Sequence, residues 1–191
     1  EFDSINFITA LHRVAKCQDR AVAARGAGFE ELVADACASA ANAQHLSNLM
    51  WSFAMLQLRG APQFDAIVAS CVAAACDFSP QRLANTFWAA AKLQLRDTPL
   101  LTALSSASTA SVADAKPQEV SATAWACAKL LLRGDPVMDA CAAASIGRIS
   151  EADPHTISIA FWSFAKCALL HGPLLVVLSD AAFTSVSLFG G

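Results

Sequence analysis

The chain has no tyrosine and only four histidines in 191 residues. His12, His45, His155 and His171 occupy unrelated places, with no nucleophile or carboxylate pattern beside them. Neither a glycine-rich phosphate loop nor a His-Glu-x-x-His sequence occurs, so the common hydrolase, metalloprotease and nucleotide-binding signatures are missing. Catalysis is therefore not expected, and no cofactor or metal is called for. Seven cysteines (Cys17, Cys37, Cys71, Cys76, Cys127, Cys141, Cys167) form no Cys-x-x-Cys pair and have no histidine at zinc spacing. They read as small buried residues of a reducing compartment. Hydrophobic content is high at 55%, yet no uninterrupted apolar run reaches the roughly 18–20 residues that cross a bilayer. The nearest, 173–189, is broken by serines, so no membrane span is expected. No signal or transit peptide is visible, and a processed chain would have lost one. No stretch alternates apolar and polar residues with period two, which argues against strands.

What is present is repetition. The four tryptophans, Trp51, Trp88, Trp125 and Trp162, are each 37 residues apart. All seven prolines keep the same period: Pro80, Pro117 and Pro154 lie eight residues before a tryptophan, and Pro62, Pro99, Pro136 and Pro173 lie eleven after one. Two residue types locked to one period between 20 and 50 residues indicate a tandem array. From Pro80 the apolar residues Leu83, Ala84, Phe87, Trp88, Ala91 and Leu95 recur at helical spacing. Ser79 and Asp153 precede prolines as cap-plus-proline starts, whereas Lys116 before Pro117 is a weaker one. Thr98-Pro99 and Asp135-Pro136 open second helices, 100–113 and 137–149, after short turn-prone links. Ala54, Ala91, Ala128 and Ala165 share one register, which allows helices to approach closely. The expected fold is all-α: a right-handed α-α solenoid of about five helical hairpins in a single domain. The units are placed at about 4–42, 43–79, 80–116, 117–153 and 154–191.

The first unit diverges. Aligning Lys16 with Lys92, Lys129 and Lys166 puts His12 at the tryptophan position, 39 residues before Trp51, with Phe7 as the first apolar residue. Residues 20–28 hold the extra turn, and 30–42 form the second helix. The last helix, from Pro173, carries only Asp180 as charge, whereas a closing repeat usually has a polar outer face. It is therefore expected to pack on further protein, through Phe189 among others. A start at Glu1 without methionine fits both an excerpt of a longer polypeptide and a processed form.

Charge is segregated along the first helices. Counting from the tryptophan, positions three before, one after, four after and eight after fall on one stripe. They are Thr9, Arg13, Lys16 and Arg20; Asn48, Ser52, Met55 and Arg59; Asn85, Ala89, Lys92 and Arg96; Ala122, Ala126, Lys129 and Arg133; Ile159, Ser163, Lys166 and Leu170. Nine of the 13 Lys and Arg residues lie there, and none of the 16 Asp and Glu residues, although net charge is −3. Stacked units would form a basic band suited to the phosphates of a nucleic acid, with Arg13, Lys16, Arg20, Asn48, Arg59, Asn85, Lys92, Arg96, Lys129, Arg133 and Lys166 as the contact residues and Thr9 and the serines near it. A bland account also stands, since cations near helix ends are favoured by the helix dipole and its free carbonyls. The tryptophans are placed on the apolar side, as core, which leaves the stripe without stacking aromatics.

The segment Phe78-Ser79-Pro80-Gln81-Arg82-Leu83-Ala84-Asn85-Thr86-Phe87-Trp88-Ala89-Ala90-Ala91-Lys92-Leu93 resembles the octotricopeptide repeat signature. It is similar also to the helical repeats of FAST-kinase-like and RAP-domain proteins. Residues 43–54 and 117–129 resemble it too, so the likeness covers about 43–180 well and 4–42 loosely. It implies an α-solenoid binding organellar RNA, in mitochondrion or plastid, in processing, stability, translation or ribosome assembly. Departures are Ala122 and Ile159 in place of Asn, His155 in place of Gln and Met55 in place of Lys. Some such proteins are structural subunits of organellar assemblies, so a protein scaffold that docks through the apolar last unit is the competing expectation.

Overall fold

The computed structural model describes residues 4–167 and 172–187, so His171, Phe189 and Leu170 lie outside the described residues. Among the described residues all regular structure is helical. The helices are α1 (Ser4–Lys16), α2 (Arg20–Ala23), α3 (Phe29–Ala38), α4 (Ala43–Leu56), α5 (Phe64–Ala74), α6 (Pro80–Lys92), α7 (Thr98–Ser111), α8 (Pro117–Leu130), α9 (Pro136–Arg148), α10 (Pro154–Lys166) and α11 (Gly172–Ser187). Short 3-10 turns extend α5, α7 and α9 at Ala75–Asp77, Val112–Asp114 and Ile149–Glu151.

Helix starts follow the proline registers, but the caps differ in detail from expectation. Asp153 accepts from the Thr156 amide at 2.8 Å, and Asp135 from the Val137 amide at 3.1 Å. For α7 the cap is Asp97, bonded to the Leu100 amide at 2.8 Å, one residue earlier than Thr98. Ser79 holds the cap position of α6 without a side-chain bond to it. Lys116 cannot accept; instead its amide donates to Glu119 at 2.9 Å, half of a capping box. The second helix of the first unit ends at Ala38 rather than 42, because Asn42 caps α4 through the His45 amide at 3.0 Å. The turn expected at 20–28 contains α2 and Gly28, whose φ of 82° suits a residue without Cβ.

Three first helices close in one way. Gln57, Gln94 and Leu131, each six residues after a tryptophan, are left-handed, with φ of 57°, 54° and 58°. The next amide then reaches back to the carbonyl of Phe53, Ala90 or Cys127, as in a Schellman closure. No glycine marks these positions, and the sequence gives no other sign of them.

Contacts build two layers. The first helices touch in the order α1, α4, α6, α8, α10, and the second in the order α5, α7, α9, α11; α3 packs on α1. Small residues let first helices approach closely. Four residues before Trp51, Trp88 and Trp125, Ser47, Ala84 and Ser121 are buried, and three after them so are Ala54, Ala91 and Ala128. The Ser47 hydroxyl donates to the Arg82 carbonyl of the following helix at 3.4 Å, which shows that these positions face the next unit. One residue after each tryptophan, Ser52, Ala89, Ala126 and Ser163 are buried against the preceding helix. Phe53, Phe87 and Phe164 fill the space between layers and are fully buried, with Leu100, Leu104, Met138, Leu174 and Leu178 opposite.

Candidate nucleic-acid interface

The structure splits the expected stripe in two and adds aromatic rings to it. The positions one residue after the tryptophan are not surface: Ser52, Ala89, Ala126 and Ser163 are buried, and at this register only Arg13 of α1 is exposed. The tryptophans stand at the edge of the open face, and their assignment to the core holds in part, since Trp88 and Trp125 pack against the hydrophobic cluster. Trp51, Trp88 and Trp125 are half-buried and Trp162 is 42% exposed. The physical reason is angular. On a helix the line through the positions three before and four after a tryptophan lies midway between the tryptophan and the residue after it, so these positions do not say which of the two turns outward. The smaller residue goes into the close helix contact, and the indole, too large for it, is left at the edge.

The rings form a ladder. His12 lies 4.6 Å from Trp51, centroid to centroid; Trp51 and Trp88 stack at 6.5 Å, and Trp88 and Trp125 at 6.4 Å. Lysines four residues after the rungs His12, Trp88 and Trp125 lie over rings of the row. Lys16 Nζ is 5.9 Å from the Trp51 centroid and Lys92 Nζ 6.0 Å from that of Trp88. Lys129 Nζ sits between two rungs, 5.5 Å from Trp125 and 5.4 Å from Trp162. Each such contact is worth about 0.5–1 kcal/mol at an exposed site, enough to hold the amine over the ring while leaving it wet. Lys166 is exposed at the same register. Asn85 is exposed and Asn48 half-buried on the far side of the ladder, three residues before their tryptophans. Burial and the nearby Lys16 charge both depress the His12 pKa, so the first rung is a neutral imidazole at pH 7.

The arginines behave differently. Arg59 donates to the Leu93 carbonyl at 3.4 Å, at the end of the next first helix. Arg59 and Arg96 line a cleft of about 340 Å³ together with Asp65 and Asp97, so the charge around these two cations is mixed. Arg20 begins α2 and is half-buried, and Arg133 is exposed in the turn after α8. The helix-end account therefore fits Arg59, while the lysines stand over rings instead. Outside the stripe, Arg148 donates to the carbonyls of Ala113 and Ala115.

Cysteine environments vary. Cys71, Cys127 and Cys141 are buried, as expected; Cys37 and Cys167 are half-buried; Cys17 and Cys76 are exposed, against expectation, because they fall just past helix ends. Burial pushes the thiols of Cys71 and Cys141 up to about 12 and that of Cys37 to about 11. Among the described residues no group of three or more His, Cys, Asp or Glu could hold a metal ion, and no helix is long and apolar enough to cross a membrane.

Paired helices in two layers, with a cationic aromatic row along one of them, define an all-helical repeat protein. The chain belongs to the RESC6 family, described as RNA-editing substrate-binding complex 6 protein, an RNA-associated helical family whose match runs over residues 6–190. Among curated proteins no sequence matches it. The octotricopeptide likeness rests on the repeat motifs alone.

Proposed function

We propose that this protein is an organellar RNA-binding subunit of an RNA-editing complex, acting by binding rather than catalysis. The observation that carries this is the row of tryptophans with lysine amines over them, uninterrupted by acids. Single-stranded RNA is bound by such a combination, bases against aromatic rings and phosphates against cations, with little dependence on sequence. Lys16, Lys92, Lys129 and Lys166 supply the phosphate contacts. Asn48 and Asn85 supply hydrogen bonds, and Arg13, Arg20 and Arg133 add charge at the margins. Arg59 and Arg96 contribute less, because Asp65 and Asp97 share their cleft. The family description, which names an RNA-editing substrate-binding complex, points the same way. The underlying arrangement is a right-handed α-α solenoid of about five hairpins with kinship to octotricopeptide repeats, resident in mitochondrion or plastid.

The test is a titration with single-stranded RNA at low and moderate salt, beside the double variant Lys92→Glu and Lys129→Glu. Salt-sensitive binding that the variant loses supports the reading; equal binding by both proteins sinks it. A scaffold role has its own support in the exposed Phe183 and Val176 of α11. It predicts that RNA binding is absent at low salt while partner proteins are retained.

A further inference from the structure

Three clefts lie where the link after a first helix meets the second helix of the unit before it. One, of about 490 Å³, has Glu30 as its only charged lining residue. Another, of about 480 Å³, has Asp135 among hydroxyl side chains. Neither lining holds a cation. The cleft between them in the stack, of about 340 Å³, carries both signs: Arg59 and Arg96 with Asp65 and Asp97. All four are exposed, and among the described residues no ion pair joins them. Arg59 spends one nitrogen on the Leu93 carbonyl, and Asp97 one oxygen on the Leu100 amide that it caps. Beneath these charges the cleft has an apolar floor of Phe64, Val68 and Leu95, which are buried.

We propose that this cleft takes a guanine base of the bound strand. The inference rests on the RNA reading above and adds a chosen base to a row that binds with little regard to sequence. Two guanidiniums and two carboxylates sum to no net charge, so a lone phosphate meets two acids and a cationic segment meets two arginines. A neutral planar group with acceptors on one edge and donors on another meets neither penalty. Guanine is such a group: O6 and N7 accept from one arginine, the commonest specific contact to this base, while N1–H and the N2 amine donate to a carboxylate. Adenine and cytosine bring a single amino group to the acids, and uracil a single ring N–H. The apolar floor receives the face of the base, as in sites where single-stranded RNA splays a base out of its stack. Arg96 follows the row lysine Lys92 by four residues, so the cleft borders the lysine edge of the row. One unit further on, Thr102 and Gly134 stand at the registers of Asp65 and Asp97, so the choice is made once along the stack.

The test is the amide NMR spectrum of the intact protein titrated with guanosine, adenosine, cytidine and uridine 5′-monophosphates at millimolar concentration. The guanosine nucleotide should move the amides of residues 59–68 and 95–98 in a saturable way, at a concentration about tenfold lower than the other three need. Asp65→Asn should abolish that preference; the residue is exposed, and unshifted amides elsewhere verify the fold. A strand of adenosines carrying one guanosine gives the second readout. The intact protein should hold it about tenfold more tightly than the all-adenosine strand, and Asp65→Asn should hold both alike, binding the all-adenosine strand no worse than before. Equal cleft shifts with all four nucleotides, no cleft shift with the guanosine nucleotide, or a preference that survives Asp65→Asn would each overturn the proposal. Failure of the row is seen separately, as indole signals of Trp51, Trp88 and Trp125 that do not respond to the all-adenosine strand.

Discussion

Changing Lys92 and Lys129 to glutamine removes two of the four amines along the aromatic row and keeps a polar chain over each ring. If each row lysine neutralises one phosphate, each contributes about −0.7 to the slope of log affinity against log salt for a single strand. Two fewer contacts flatten the slope by about 1.4. Extrapolated from 1 M to 0.1 M salt, that is a loss of about 25-fold, or roughly 1.9 kcal/mol. The assay is fluorescence anisotropy with labelled single-stranded RNA across a salt series. At 1 M salt the two proteins should bind alike, because the non-ionic part, stacking on the rings, is untouched. An unchanged slope would refute the reasoning, since the amines would then be held by the rings without reaching phosphate. A loss of the same size at every salt concentration would refute it differently, pointing to a disturbed fold.

Further outcomes follow from packing and titration. Phe87→Ala empties a fully buried site between the layers; it should cost about 3–5 kcal/mol, read as a drop of roughly 6–20 °C in the melting temperature. Cys17 and Cys76 should react quickly with a thiol reagent, while Cys71, Cys127 and Cys141 react only after unfolding, their thiols pushed up by burial; mass spectrometry of the labelled peptides decides it. The amide of Thr156 chiefly, with the Gln118 side chain, holds the Asp153 carboxyl below its ordinary 3.8. Its charged form thus adds stability above that pH and loses it as pH falls through the lower folded value. The advantage in melting temperature over Asp153→Asn should shrink below about pH 3.8; an advantage that does not vary with pH would contradict this.

Much of the architecture was legible because two residue types keep one period, and prolines at helix starts mark where each helix begins. Pro80, Pro117, Pro136 and Pro154 all open helices as expected. The surface was harder to read. Positions Trp88 and Ala89 are symmetric about the line through Asn85 and Lys92, so the fit of α6 against α4 and α8 decides which one turns outward. Arg59 and Arg96 look acid-free along the stripe but line one cleft with Asp65 and Asp97 in the fold. The left-handed closures at Gln57, Gln94 and Leu131 carry no glycine signal, and the six-residue spacing from tryptophan becomes meaningful only with the backbone in view. The basic row itself was visible in Lys16, Lys92, Lys129 and Lys166, whereas the rings beneath it were not.

The most direct measurement is ultraviolet crosslinking of single-stranded RNA to the intact protein, with the attachment sites mapped by mass spectrometry. The row predicts crosslinks on Trp51, Trp88 and Trp125 and on the lysines over them, in peptides from α1, α4, α6 and α8. Crosslinks confined to α5, α7 or α9, on the opposite layer, or none at low salt, would contradict the account.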